Sequence, residues 1–299
     1  HAVPGALSFE EEFGGVVARL VSAGSEAVVA LQGGQVLSYV PAGSTTGVLW
    51  LSPAAKLGTG KAVRGGIPVC WPWFGSHADA GKPAHGFVRA APWTVTGAAA
   101  SQEQTQLTLA FDATSVAPEL WPYQAQLMLT VALGPSLKVT LTTVNAGSCA
   151  IPLTEALHSY FAIGDVAEIG VSGLEARPYI DQLDSGRQKR QAGGIHFSSE
   201  VDRIYFDTTD TVTIDINRDN DAPTLADLSS YRNLIDTPET VALDPNYQLG
   251  AVDPGRGPLP LVILVDTRTM RVRNYMHDPD PQLLEVRMRQ ELAELDGGG

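Results

Sequence analysis

Between closely spaced glycines and prolines, the chain is written in runs of five to nine residues whose apolar positions recur at every second place, and few architectures accept that pattern. Strand side chains point to opposite faces in turn, so a period of two buries one face and wets the other. From Thr105 to Phe111, Leu107, Leu109 and Phe111 share one face, while Gln106, Thr108 and Ala110 share the other. Leu137, Val139 and Leu141 oppose Lys138, Thr140 and Thr142 in the same way. Between these runs, Gln124 to Leu133 reads as a long strand ending at Gly134-Pro135, a turn suited to antiparallel neighbours. Further strands are predicted at Val16–Val21, Glu26–Leu31, Val36–Val40, Trp93–Thr96, Ile204–Phe206, Val212–Ile216 and Leu261–Val265. No helix-length amphipathic segment alternates with them, which argues against a doubly wound α/β fold. The expectation is an all-β chain folded as a large antiparallel β-sandwich. One short helix is predicted near the C-terminus, where Asp280-Pro281 supplies a cap and Leu284, Met288, Leu292 and Leu295 fall at helical spacing. With no repeat and no linker, residues 1–299 are expected to form one domain, Arg218–Tyr231 a long surface loop, and Gly297 to Gly299 a frayed end.

The formal net charge of −13 argues against a broad nucleic-acid surface, so any bound anion must meet a few locally placed cations. Two cysteines, Cys70 and Cys149, are too few for a disulfide scaffold or a four-thiolate zinc site, and both read as buried, reduced thiols. A cytoplasmic setting is expected, or an organelle stroma if a transit peptide has been removed. No apolar stretch reaches the roughly 18 to 20 residues of a membrane span. Nucleic-acid and membrane partners are therefore not expected, and a monomer is. There is no Gly-x-Ser-x-Gly elbow, phosphate-binding glycine loop, dinucleotide fingerprint or metal-type histidine spacing, so no cofactor or metal is expected.

Three segments hold the residues suited to chemistry. Arg64-Gly65-Gly66-Ile67-Pro68-Val69-Cys70-Trp71-Pro72-Trp73-Phe74-Gly75 packs three aromatics, two prolines and an arginine into twelve residues. It suits a pocket wall, where aromatic faces stack on sugar C–H groups beside an anion clamp, or equally a core plug at one end of a sandwich. His85-Gly86-Phe87-Val88-Arg89 again sets an imidazole and a guanidinium in a glycine-bearing loop. Two arginines converging on one site would give an acidic protein the positive potential a phosphate monoester needs. Lone surface arginines are the alternative. In Leu153-Thr154-Glu155-Ala156-Leu157-His158-Ser159-Tyr160-Phe161, His158 is either a general acid or base or a structural histidine.

Together with Glu200-Val201-Asp202-Arg203-Ile204-Tyr205, these segments resemble, in order and separation, the glucose-6-phosphate 1-epimerases, or hexose-6-phosphate mutarotases, of the galactose mutarotase-like superfamily. The resemblance runs from about Val16 to Thr213, and the chain from about residue 215 onward diverges. It implies that Arg64 and Arg89 hold a sugar phosphate, that His85 and Asp202 contact the sugar, and that His158 is the catalytic acid. Ala84 stands where the family usually has a glutamine. The family's Trp-Asn-Pro turn and later glutamate map to Val241-Ala242-Leu243-Asp244-Pro245 and to Asp266, which makes Asp266 the expected base, with Glu285 its rival. The function implied is cofactor-independent interconversion of the α and β anomers of a hexose 6-phosphate. The alternatives are a catalytically impaired carbohydrate-phosphate binding or regulatory protein, and a glycoside-processing enzyme that would use paired carboxylates.

Overall fold

A computed structural model describes residues 1–58, 60–163, 169–205, 212–215, 261–266 and 271–277, with backbone alone at 215 and from 261 onward. Strands β1 (Leu7–Glu12), β2 (Gly15–Ser22), β3 (Ser25–Ala30) and β4 (Gln35–Val40) form an antiparallel meander in chain order. After β5 (Val69–Cys70), a second meander follows in chain order, made of β6 (Thr94–Ala100), β7 (Thr105–Asp112), β8 (Ala125–Leu133) and β9 (Leu137–Asn145). The predicted turn after Leu133 is present: Leu133 pairs with Leu137, and Gly134 N–H donates to the Ser136 carbonyl at 3.0 Å.

The two meanders stack through the residues that the alternation marks. Leu20, Ala27, Val29 and Tyr39 of the first share one buried cluster with Leu107, Leu109, Leu129, Val131 and Leu141 of the second. Burying a leucine or valine of this kind stabilises the fold by about 1.5 to 3 kcal/mol each. β3 breaks the alternation because it is buried on both sides: Val28 and Ala30 join Val17 and Leu37 under Leu57 and Val63. Leu51, Ala55, Leu57 and Val63 thus roof the outer face of the first sheet.

Smaller pairings complete the described chain. β10 (Ala156–Leu157) pairs with β5, and β11 (Gly170–Ser172) lies between β14 (Ile195–His196) and β16 (Thr213–Asp215). β12 (Pro178–Asp181) lies between β13 (Arg187–Arg190) and β15 (Arg203–Tyr205), and β17 (Leu261–Asp266) pairs with β18 (Arg271–His277). Among the described residues the helical pieces are single 3₁₀ turns, and none could cross a membrane.

Every predicted strand is present, with ends displaced by a few residues, most at Thr94–Ala100. β1 was not foreseen, because Glu10, Glu11 and Glu12 break its alternation at the edge of the sheet. The predicted C-terminal helix, the loop Arg218–Tyr231 and the tail Gly297 to Gly299 lie outside the described residues. Cys70 is buried as expected, but Cys149 is exposed. It follows the end of β9 in a turn closed by Asn145, whose side-chain amide donates to the Cys149 carbonyl at 2.9 Å.

One buried ionisable group escaped the sequence reading. Glu155 is enclosed beside β10, and Thr143 Oγ1 donates to its Oε2 at 2.9 Å. Burial pushes its carboxyl up to about 7, against a smaller downward pull from Thr143. Because the folded value lies above the unfolded 4.5, its contribution to stability is full below pH 4.5 and is lost as pH rises through 7. Relative to the wild type, Glu155→Gln should therefore gain stability between pH 4.5 and about 7, by up to about 1.4 kcal/mol per pH unit, and keep a constant advantage at higher pH. Urea denaturation at pH 5, 7 and 9 measures this, and a difference independent of pH would refute it.

Candidate active site

Backbone pairing places the two longest signature segments side by side. Thr154, His158 and Tyr160 N–H donate to the carbonyls of Pro72, Pro68 and Gly66 at 3.0, 2.9 and 2.8 Å. Ala156 opposes Cys70 and Leu157 opposes Val69, so one antiparallel register runs from Gly66–Tyr160 to Pro72–Thr154. Phe74 N–H then bonds Thr154 Oγ1 at 3.0 Å, turning the end of the segment toward His158.

The third segment joins at the other side. Trp71 bridges Gly86 in parallel, and Phe87 N–H donates to the Trp71 carbonyl at 3.1 Å. Gly86 has φ +71°, and a Cβ there would overlap the Trp71 carbonyl, so only glycine fits. His85 also has positive φ, 62°, and is clamped twice to Gly75: its N–H donates to the Gly75 carbonyl at 2.7 Å, and its Nδ1 accepts from Gly75 N–H at 3.2 Å. With Nδ1 accepting, the ring proton sits on Nε2. A 3₁₀ turn, Val88–Ala90, presents Arg89, whose guanidinium donates to the Ala84 carbonyl at 2.7 Å. Ala84 thus contributes through its main chain.

These loops gather a row of rings. Phe74 lies 4.9 Å from His85 and 5.9 Å from His158 between centroids, the two histidines are 5.9 Å apart, and Tyr160 is 4.9 Å from His158. Burial first, then the charges of Arg89 and His158, lower His85 to about 4. Burial likewise lowers His158; a hydrogen bond to its own backbone opposes this, and Arg89 adds to it. Both imidazoles are neutral near pH 7, and one guanidinium bears on both.

The twelve-residue aromatic segment divides between its two readings. Trp71 and Trp73 are core residues, Trp71 packing 4.9 Å from Trp121 and 5.7 Å from Phe87. Phe74 alone of the three aromatics faces the histidines. Of the candidate residues, His85, Arg89 and His158 come together. Arg64 is exposed, its carbonyl accepting from Ser52 N–H at 3.1 Å, and no described contact joins its guanidinium to the histidines. Asp202 is exposed just before β15, its carbonyl bonded to Gln182 N–H at 2.9 Å, and no described contact joins it to the rings. Asp266 ends β17 opposite Arg271, but its side chain, like all of Glu285 and the stretch Val241–Pro245, lies outside the described residues. Sequence reasoning missed Trp50, whose ring is 6.1 Å from that of Tyr160. Among the described residues, no three of His, Cys, Asp or Glu converge as metal ligands would.

Comparison with known proteins places this arrangement. The chain is 37% identical over 190 residues to an Escherichia coli protein named "Putative glucose-6-phosphate 1-epimerase", covering 63% of each. A protein of the same name from Cenchrus ciliaris is 34% identical over 198 residues, 63% of this chain and 59% of that protein. The chain thus spans about 60% of the length of these curated relatives. The crystal structure of a "putative mutarotase" from Salmonella typhimurium superposes with a TM-score of 0.66 at 31% identity, over 72% of this chain and 71% of that one. A galactose mutarotase-like protein from Clostridium acetobutylicum shares the fold at 19% identity, with a TM-score of 0.52 over 62% and 64% of the two chains. The family model for aldose 1-epimerase matches residues 17–230, which take in every loop that builds the row of rings, and the chain belongs to the aldose 1-epimerase family.

Proposed function

We propose that this chain interconverts the α and β anomers of a hexose 6-phosphate, glucose 6-phosphate first among them, by acid–base opening and reclosing of the sugar ring. The observation that carries this reading is one guanidinium, Arg89, whose charge bears on two half-buried imidazoles among aromatic rings. The names of the curated relatives support the choice of sugar phosphate.

Ring opening needs a proton delivered to the ring oxygen and another removed from the anomeric hydroxyl; the aldehyde then rotates and the steps reverse. The reaction is neutral in electrons and balanced in protons, so it asks only for an acid and a base. In the free protein, burial and Arg89 keep His158 neutral. A phosphate dianion against Arg89 cancels the charge that depresses His158, so its proton affinity rises as substrate arrives, and His158 donates to the ring oxygen. His85, held as the Nε2–H form by Gly75, gives a neutral donor to a sugar hydroxyl. Arg64 adds to the grip on phosphate and Asp202 bonds a hydroxyl. Asp266, at the end of β17, takes the anomeric proton.

Anomer exchange followed by NMR tests these roles. His158→Ala should slow exchange of glucose 6-phosphate by about 10²- to 10⁴-fold with unchanged melting behaviour, and an unaltered rate would sink the assignment. Asp266→Asn should show a comparable loss; if it does not, Glu285→Gln decides whether the base lies there. The fall in rate at high pH should come at lower pH for kcat/KM, which reports the free protein, than for kcat, which reports the complex. Coincident limbs would remove Arg89 from control of His158.

A further inference from the structure

The row of rings does not end at the catalytic histidine. Tyr160 continues it from His158, and Trp50 continues it from Tyr160, at 6.1 Å between centroids and tilted by 35°. Trp50 is the one tryptophan of the five in contact with solvent, at 37% exposure, whereas Trp71, Trp73, Trp93 and Trp121 all lie at 7% or less. Its main chain is held from both sides: Trp50 N–H donates to the Tyr160 carbonyl at 2.9 Å, and its own carbonyl accepts from Gly66 N–H at 2.7 Å. The next bond along, Ser52 N–H to the Arg64 carbonyl at 3.1 Å, ties the same segment to the one that carries Arg64. An indole fixed in this way, continuous with the ring of His158 and open to water, is an apolar face awaiting an apolar surface.

We infer that Trp50 is a sugar-binding residue, its indole packing against a C–H face of the bound hexose at the end of the row remote from His85. The inference rests on the sugar-phosphate reading above. A hexose offers such faces between its hydroxyls, and an aromatic wall with a few polar groups is the usual way to hold one.

Tryptophan fluorescence and calorimetry with glucose 6-phosphate test this, because the other four indoles are already shielded from water. In the wild type, titration should change the solvent-exposed part of the tryptophan emission. Trp50→Phe should bind with affinity within about twofold of the wild type while losing that change, since a phenyl ring still packs on the sugar. Trp50→Ala should bind about five- to tenfold more weakly. The inference is overturned if the emission change survives in Trp50→Phe, if wild-type emission stays constant while calorimetry records binding, or if Trp50→Ala binds like the wild type. Where Trp50→Ala fails to fold, the emission of Trp50→Phe decides alone. A wild type that gives neither heat nor emission change would defeat the sugar-phosphate reading, and this inference with it.

Discussion

Tyr160, His158 and Thr154 each donate a main-chain N–H to the segment that runs antiparallel to them, and those bonds set the spacing of everything around the histidines. Two of the three acceptors are prolines, Pro68 and Pro72, which have no N–H to return. The pairing works because only their carbonyls are used. A slip of one residue would turn His158 to the opposite face, where Glu155 and Leu157 now lie, and would part it from Phe74. Thus the prolines that make the segment look irregular in sequence do not prevent it from acting as a strand, and they hold φ near its fixed value where the chain must be rigid.

On that frame the electrostatics are simple. The protein carries a net charge of −13, yet among the described residues the charge that bears on both histidines is the positive one of Arg89. Its guanidinium is held by the Ala84 carbonyl, without an ionic partner in that bond. A cation with no ion pair among the described residues, set beside two neutral imidazoles, favours an anionic ligand. It also links the affinity for that anion to the protonation of the imidazoles, since each changes the free energy of the other.

The sandwich was legible because alternation is a property of neighbouring residues, and the stacked leucines of the second meander state it without ambiguity. The site was legible only in part. His85, Arg89 and His158 stand in short motifs, and the fold brings those motifs together. Trp71, Trp73 and Phe74 could not be sorted, because an aromatic ring suits a core and a sugar site equally; the fold buries two of them and turns the third to the histidines. Trp50 carried no local signal at all, since its place in the row depends on bonds to Gly66 and Tyr160, far away in sequence. Glu155 escaped for the opposite reason: a glutamate beside a strand reads as solvated until the partner sheet is seen to cover it.

The double clamp between Gly75 and His85 isolates the chain between them from the rings. Trp73 Nε1–H donates to the Pro83 carbonyl at 2.8 Å, and Lys82 Nζ donates to the Leu120 carbonyl at 3.0 Å, so the returning limb is anchored as well. What remains unanchored to the body is the tip around Ala78 to Ala80, exposed and held by local bonds of Asp79. Lengthening a loop whose ends are already fixed costs little entropy. The tip is therefore a place where the chain can accept an inserted peptide, an affinity tag or a reporter while the imidazoles and guanidinium keep their places.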